Sequence, residues 1–112
     1  MVDDHAGFRA EVRRFLESLG YDVVAEAVDG ASAVVAARKF APDIIVLDVV
    51  LPDMDGFGVA RQLAARGVTS RVILVSTREA SDYGSRVASC GAVGFIAKAD
   101  LSSASFQALA AC

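Results

Sequence analysis

Three aspartates, a pair of hydroxyls and a lysine stand at the ends of short apolar runs. Asp3 and Asp4 follow Met1 and Val2, Asp48 follows Ile44 to Leu47, Ser76 and Thr77 follow Val72 to Val75, and Lys98 comes just after Val93 to Ile96. Gathered in one place, three carboxylates repel one another by about 4 kcal/mol per pair at 4 Å in an effective dielectric near 20. Such a cluster needs a cation. A hard divalent ion with oxygen ligands, Mg²⁺ above all, relieves the repulsion and keeps positions open for water and phosphate oxygens. Lys98 and the Ser76 hydroxyl, arriving from neighbouring strands, could then contact the other oxygens of a phosphoryl group on Asp48. Metal, lysine and hydroxyl together would spread the charge that develops in an in-line phosphoryl transfer to a carboxylate. Nothing in this chemistry requires a histidine.

The elements that must position these residues can be read from the spacing of apolar side chains. Phe8, Val12, Phe15, Leu16 and Leu19 mark one face of a first helix, which Gly20 ends. Val23 and Val24 make a short strand, and Asp29 caps a second helix through Val34, Val35 and Phe40 that stops before Pro42. Ile44 to Leu47 is aliphatic without polar alternation, as suits a strand covered on both faces of a parallel sheet. A Pro/Asp/Gly loop from Pro52 to Gly56 leads into a helix reaching Arg66, with Gly67 as its C′ residue, and Val72 to Val75 forms the next strand. A helix from about Ala80 to Ser89, a strand from Val93 to Ile96 and an Ala/Ser-rich helix around Phe106 and Leu109 complete the pass. This alternation predicts an α/β fold, a doubly wound parallel five-stranded sheet whose sites form at the carboxyl ends of the strands.

Each polar position also has a plainer reading. Asp3 and Asp4 could cap the helix that begins near Ala6, Asp48 could be a turn former, Lys98 a solvated lysine and Phe95 a core residue. The sequence LPDMDG beginning three residues after Asp48, and GFIA before Lys98, tip these positions toward the site. His5 reads as a surface residue, and Cys90 as a small apolar residue packed between helix and sheet.

Composition removes several function classes. At 112 residues, 54% hydrophobic and 22% charged, the chain suits one globular domain spanning 1–112, with an expected folded surface of about 5,800 Å². A net charge of −3 without any Lys/Arg block argues against a nucleic-acid surface. Cys90 and Cys112 lie far apart with no CxxC, and His5 is the sole histidine, so neither a zinc ligand set nor a disulfide framework is expected, and a reducing cytoplasm fits best. The opening MVDD and the lack of an apolar stretch near 18 residues argue against secretory and membrane-spanning readings.

With VDDH at 2–5, LDVVLPDMDGF at 47–57, LVSTRE at 74–79 and GAVGFIAKADLS at 91–102, the chain resembles the receiver domain of two-component response regulators over essentially its whole length. The resemblance implies a flavodoxin-like sheet in the order 2-1-3-4-5, with Asp48 as phosphoacceptor and Asp3 and Asp4 as the acidic pair that holds Mg²⁺, Asp4 more directly. It further implies a metal contact from the backbone carbonyl of Val50 and phosphate contact from Lys98. Ser76 matches the hydroxyl that moves toward the phosphoryl group, Thr77 is the alternative, and Phe95 is the aromatic whose rotamer follows the switch. Val50 and Arg78 stand where side chains border the attacking water. The implied partners are a sensor histidine kinase or phosphotransfer protein and, through the 80–111 face, an output protein or a second copy, with no direct contact to nucleic acid or membrane. Such a chain is a phosphoacceptor that takes part in its own phosphotransfer and dephosphorylation rather than an enzyme.

Two positions depart from that family. Its members have four or five apolar residues before the acidic pair, where this chain has Met1 and Val2, and losing about four buried aliphatics forfeits roughly 6 to 12 kcal/mol. The expectation is that Met1 is internal to a longer first strand. Ala99 replaces the proline that often follows the lysine, a pattern similar to the branch of receivers joined to DNA-binding domains. With the chain ending at Cys112, no output domain is expected. The rival reading is a phosphorylation-independent receiver-like interaction module. An aspartyl-phosphate hydrolase lacks its second aspartate, the position being Val50, and a nucleotide-binding Rossmann domain lacks its GxGxxG.

Overall fold

Strands form where the aliphatic runs are densest. In the computed structural model, which describes residues 1–111, β1 (Ile44–Asp48), β2 (Arg71–Ser76) and β3 (Gly94–Ala97) pair in parallel in the order β1-β2-β3. Asp48 is opposite Val75 and Ser76 is opposite Ala97, so Asp48, Ser76 and Lys98 leave one edge of the sheet together. Leu47, Ile73, Leu74 and Val75 are fully buried, as expected of strands covered on both faces.

Helices α1 (Ala6–Ser18) and α5 (Ser103–Ala110) cover one face, where Val12, Leu16 and Phe106 pack on Val46, Ile73 and Ile96. On the other, α2 (Gly30–Phe40) and α3 (Gly56–Ala65) pack Ala33, Val34, Phe57 and Leu63 against Leu47, Val72 and Leu74. Asp29 caps α2 as predicted, accepting from the Ser32 amide at 2.8 Å. Asp53 also accepts from the Gly30 and Ala31 amides at 2.8 and 3.0 Å, tying the loop after β1 to the start of α2. Gly56 opens α3 where a Cβ would come within 2.5 Å of the Asp48 carbonyl oxygen, so only glycine lets this helix abut the chain behind Asp48. Cys90 is buried, as expected, and Cys112 lies outside the described residues.

Two elements differ from the sequence reading. The five-stranded sheet is present as three full strands extended by single bridges: Val2 bridges Leu47 on one side and Ala27 on the other, both parallel. The order 2-1-3-4-5 is therefore kept, with Met1 to Asp3 between Ala27 and β1. Val23 and Val24 form no strand because a strand needs a neighbour to pair with, and beside them lies a half-open slot of about 460 Å³. It is walled by residues 21–27, by Ile44 to Val46, and by Ala37 and Phe40 of α2. The second difference is the expected helix from Ala80 to Ser89. It is a 3-10 turn at Ala80–Asp82 followed by α4 (Arg86–Ser89), because Gly84, at φ 61°, turns the chain left-handed between them.

The exposed surface is 5829 Å², in line with the area expected from chain length, so the slot coexists with otherwise ordinary compactness. Among the described residues no helix is long and apolar enough to cross a membrane.

Candidate functional site

The sheet edge that collects Asp48, Ser76 and Lys98 also receives Asp3, because the bridge at Val2 lays the first residues alongside β1. Val2 donates to the Val46 carbonyl at 2.8 Å and accepts from the Asp48 amide at 3.0 Å. Asp3 and Asp48 are thereby buried side by side, at 0% and 3% exposure. Lys98 Nζ donates to Asp3 Oδ2 at 2.9 Å and to Asp48 Oδ2 at 3.2 Å. The other oxygens are held by backbone: the His5 amide donates to Asp3 Oδ1 at 2.8 Å and the Val50 amide to Asp48 Oδ1 at 3.1 Å. These backbone bonds fix the carboxylate planes, and the lysine bridges them.

Asp4 is the exposed member of the acidic pair, with 39% of its side chain open to solvent. Val50 turns back into an antiparallel bridge with Asp55, which keeps its backbone beside Asp48 while the residue as a whole is 60% exposed. Ser76 is fully buried, whereas Thr77, the alternative hydroxyl, is exposed. Phe95 is half-buried with its ring tilted against Tyr83 at 5.8 Å.

The charges do not balance. Burial pushes Asp48 up to about 6, assisted by the neighbouring Asp3 and opposed by the Val50 amide and Lys98. Burial acts on Asp3 in the same sense, but the His5 amide, Lys98 and its hydrogen bond with Asp48 outweigh it and hold Asp3 below the ordinary carboxylate range. Burial would draw Lys98 down, yet the two carboxylates hold it above its usual value. Asp3, Asp4, His5 and Asp48 each offer a ligand atom, all within 4.8 Å of one another. Three carboxylates against one lysine leave an excess of negative charge, and the carboxylates are hard oxygen donors; this fits a divalent cation such as Mg²⁺.

Three residues of this region escaped the sequence reading. His5 is exposed, as expected of a surface residue, but its Nδ1 stands 3.3 Å from Asp3 and 3.2 Å from Asp4. Phe8, seen only as one of the apolar positions of α1, lies under the Lys98 ammonium, 4.0 Å from its ring centroid. Tyr83 brings its hydroxyl to 2.8 Å from Ser76 Oγ. A tyrosine in a polar loop carries no periodic signal, and the Phe8 and Tyr83 contacts join residues brought together only by the fold.

Comparison with known proteins agrees with this geometry. Residues 1–108 match the family model of the response regulator receiver domain. The chain is 34% identical over 98 residues to the DNA-binding transcriptional activator EvgA of Escherichia coli (strain K12), a match covering 88% of this chain and 48% of that protein. It spans about half the length of the curated relatives it matches. Among solved structures, a LuxR-family two-component response regulator from Aurantimonas sp. SI85-9A1 superposes with a TM-score of 0.87 at 33% identity, covering 98% of this chain and 82% of the other. The CheX-CheY-BeF3-Mg+2 complex from Borrelia burgdorferi gives a TM-score of 0.85 at 27% identity, covering 96% and 81%. A parallel sheet that gathers two buried aspartates and a lysine at its carboxyl edge, in a chain matched almost end to end, puts this protein in the response regulator receiver domain family.

Proposed function

We propose that this chain is a cytoplasmic phosphorelay step in which Asp48 accepts a phosphoryl group from the phosphohistidine of a sensor kinase or phosphotransfer protein. The observation that carries this reading is Lys98 Nζ spanning Asp3 and Asp48 in a buried site at the strand ends. Asp3, Asp4, Asp48 and the Val50 carbonyl are the oxygens that would hold Mg²⁺, which when bound neutralises phosphoryl oxygens during transfer. Asp48 Oδ forms the new bond to phosphorus as the phosphorus–nitrogen bond of the donor breaks, and the imidazole leaves. Lys98 follows the charge onto a phosphoryl oxygen, and Ser76 contacts another. Water later attacks phosphorus, releasing inorganic phosphate and returning the carboxylate. The chain promotes its own transfer and hydrolysis without turning over a separate substrate. Contacts of the 80–111 face with a partner protein or a second copy would carry the signal onward.

Intact mass after incubation with Mg²⁺ and acetyl phosphate tests the proposal. The unmutated chain should gain one phosphoryl group and Asp48→Asn none. No gain by the unmutated chain would reject this reading in favour of an interaction module that works without phosphorylation. Equal gain by both would reject Asp48.

A further inference from the structure

The segment between β2 and β3 is loosely built: a 3-10 turn, a left-handed Gly84 and a four-residue helix, with no buried residue from Thr77 until Cys90. Its half-buried Tyr83 reaches inward. The ring stands edge-on to Phe57 at 5.2 Å and tilted against Phe95 at 5.8 Å, and the hydroxyl lies 2.8 Å from Ser76 Oγ. Ser76 Oγ also accepts from the Arg78 amide at 3.2 Å. The buried hydroxyl of Ser76 therefore has two partners, both on the segment that follows it. The segment is otherwise tied to α3 by Arg86, which pairs with Asp55 at 3.3 Å and lies over the Phe57 ring at 4.8 Å. That tie is exposed, and an exposed ion pair holds little.

We propose that Tyr83 is a positioning residue that latches the Ser76 hydroxyl in the resting state and, through it, holds residues 79–89 against the sheet. This rests on the reading that Ser76 contacts a phosphoryl group on Asp48. A serine oxygen occupies one staggered position at a time, and a Ser76 Oγ that turns toward Asp48 leaves the Tyr83 hydroxyl. Tyr83 then keeps only its ring contacts, and the segment loses its internal polar anchor. Conversely, a tight latch slows phosphoryl uptake, because the Tyr83 hydrogen bond must break before Ser76 can help.

Tyr83→Phe removes the hydroxyl and keeps the ring. Initial rates of phosphoryl uptake from acetyl phosphate with Mg²⁺, followed by intact mass, should rise about fivefold, the equivalent of one net hydrogen bond. In a Ser76→Ala background the same substitution should change the rate by less than about 1.5-fold, by the logic of a double-mutant cycle. Backbone hydrogen exchange of unphosphorylated protein should be faster across 79–89 in Tyr83→Phe and in Ser76→Ala, and no faster still in the double variant. An unchanged uptake rate in Tyr83→Phe, or an undiminished effect without Ser76, would overturn the proposal. If no form takes up phosphate, the phosphoacceptor reading fails, and the exchange cycle decides the latch alone: additive exchange changes would overturn it and non-additive ones would support its structural half.

Discussion

Asp48 shows how one residue carries opposite demands. The proposed chemistry asks that it be buried and close to Asp3, within reach of Lys98, and burial with that neighbour pushes its carboxyl up to about 6. The folded state thus holds a proton at pH 5 that the unfolded chain, with an ordinary aspartate near 3.9, has mostly lost. The raised value contributes stability below about pH 4, and that contribution is lost as pH rises through 6. At pH 7.5 the ionised Asp48 is a destabilising charge, so Asp48→Asn should raise the melting temperature by several degrees, on the order of 2 kcal/mol. The gain should shrink as the pH is lowered toward 4, and added Mg²⁺ should stabilise the unmutated chain more than the variant. Thermal melts at pH 4, 6 and 7.5 check this, and a variant that is less stable at every pH would show that the Lys98 bridge outweighs the burial cost. At this scale the sequence was most informative where a polar side chain ends an apolar run, as with Asp3, Asp48, Ser76 and Lys98. It was silent on Phe8 and Tyr83, whose partners are 90 and 7 residues away (98 − 8 and 83 − 76) and meet them only in the folded chain.

Elements were legible where local chemistry dictates them. Asp29 before an apolar helical pattern and Gly67 after one are capping signals that act within a turn, and both ends formed as read. Residues 80–89 illustrate the limit, since a helical reading there ignored how strongly one glycine in a polar stretch favours a left-handed turn. The end of α2 holds a residual strain: Ala41 sits at φ 45°, ψ 55°, donating its amide to the Ala37 carbonyl at 3.0 Å with an alanine where glycine is at ease. Ala41→Gly should raise stability by about 1 kcal/mol by urea denaturation, the left-handed penalty outweighing the added freedom of the unfolded chain. Gly56→Ala should do the reverse and more strongly, about 2 kcal/mol or greater, because its Cβ meets backbone behind Asp48 rather than a side chain that can move. Phosphoryl uptake should fall with it, since that backbone fixes the Asp48 carbonyl and the turn to Val50.

The whole molecule is organised around its thinnest part. Met1 to Asp3 join residues 25–27 to β1, and the ladder they make is regular: Met1 donates to the Ala25 carbonyl at 3.3 Å, Ala27 donates to the Met1 carbonyl at 2.9 Å, and Asp3 donates to the Ala27 carbonyl at 3.1 Å. The Met1 ammonium therefore occupies the position of a strand amide, and burial there pulls its proton affinity down despite the nearby Glu26. Parallel pairing advances one residue at a time, so a residue joined before Met1 falls in register with Ala25 and Ile45, and two more reach Val23 and Asp43. The slot of about 460 Å³ lies along that line. Fusing four aliphatic residues to Met1 should fill it, each burying roughly 1.5 to 3 kcal/mol of side chain against roughly 1 to 2 kcal/mol of backbone ordering. The new amide also replaces a desolvated ammonium. The net gain is a few kcal/mol, or about 10 °C or more in melting temperature, and Val23 and Val24 should become protected from hydrogen exchange as they gain a neighbour. A Gly-Ser extension of equal length removes the buried ammonium without filling the slot and should give only a small part of the gain. Equal melting of the aliphatic and Gly-Ser extensions would mean that the slot does not accept a strand, and that Met1 and Val2 suffice to hold Asp3 beside Asp48.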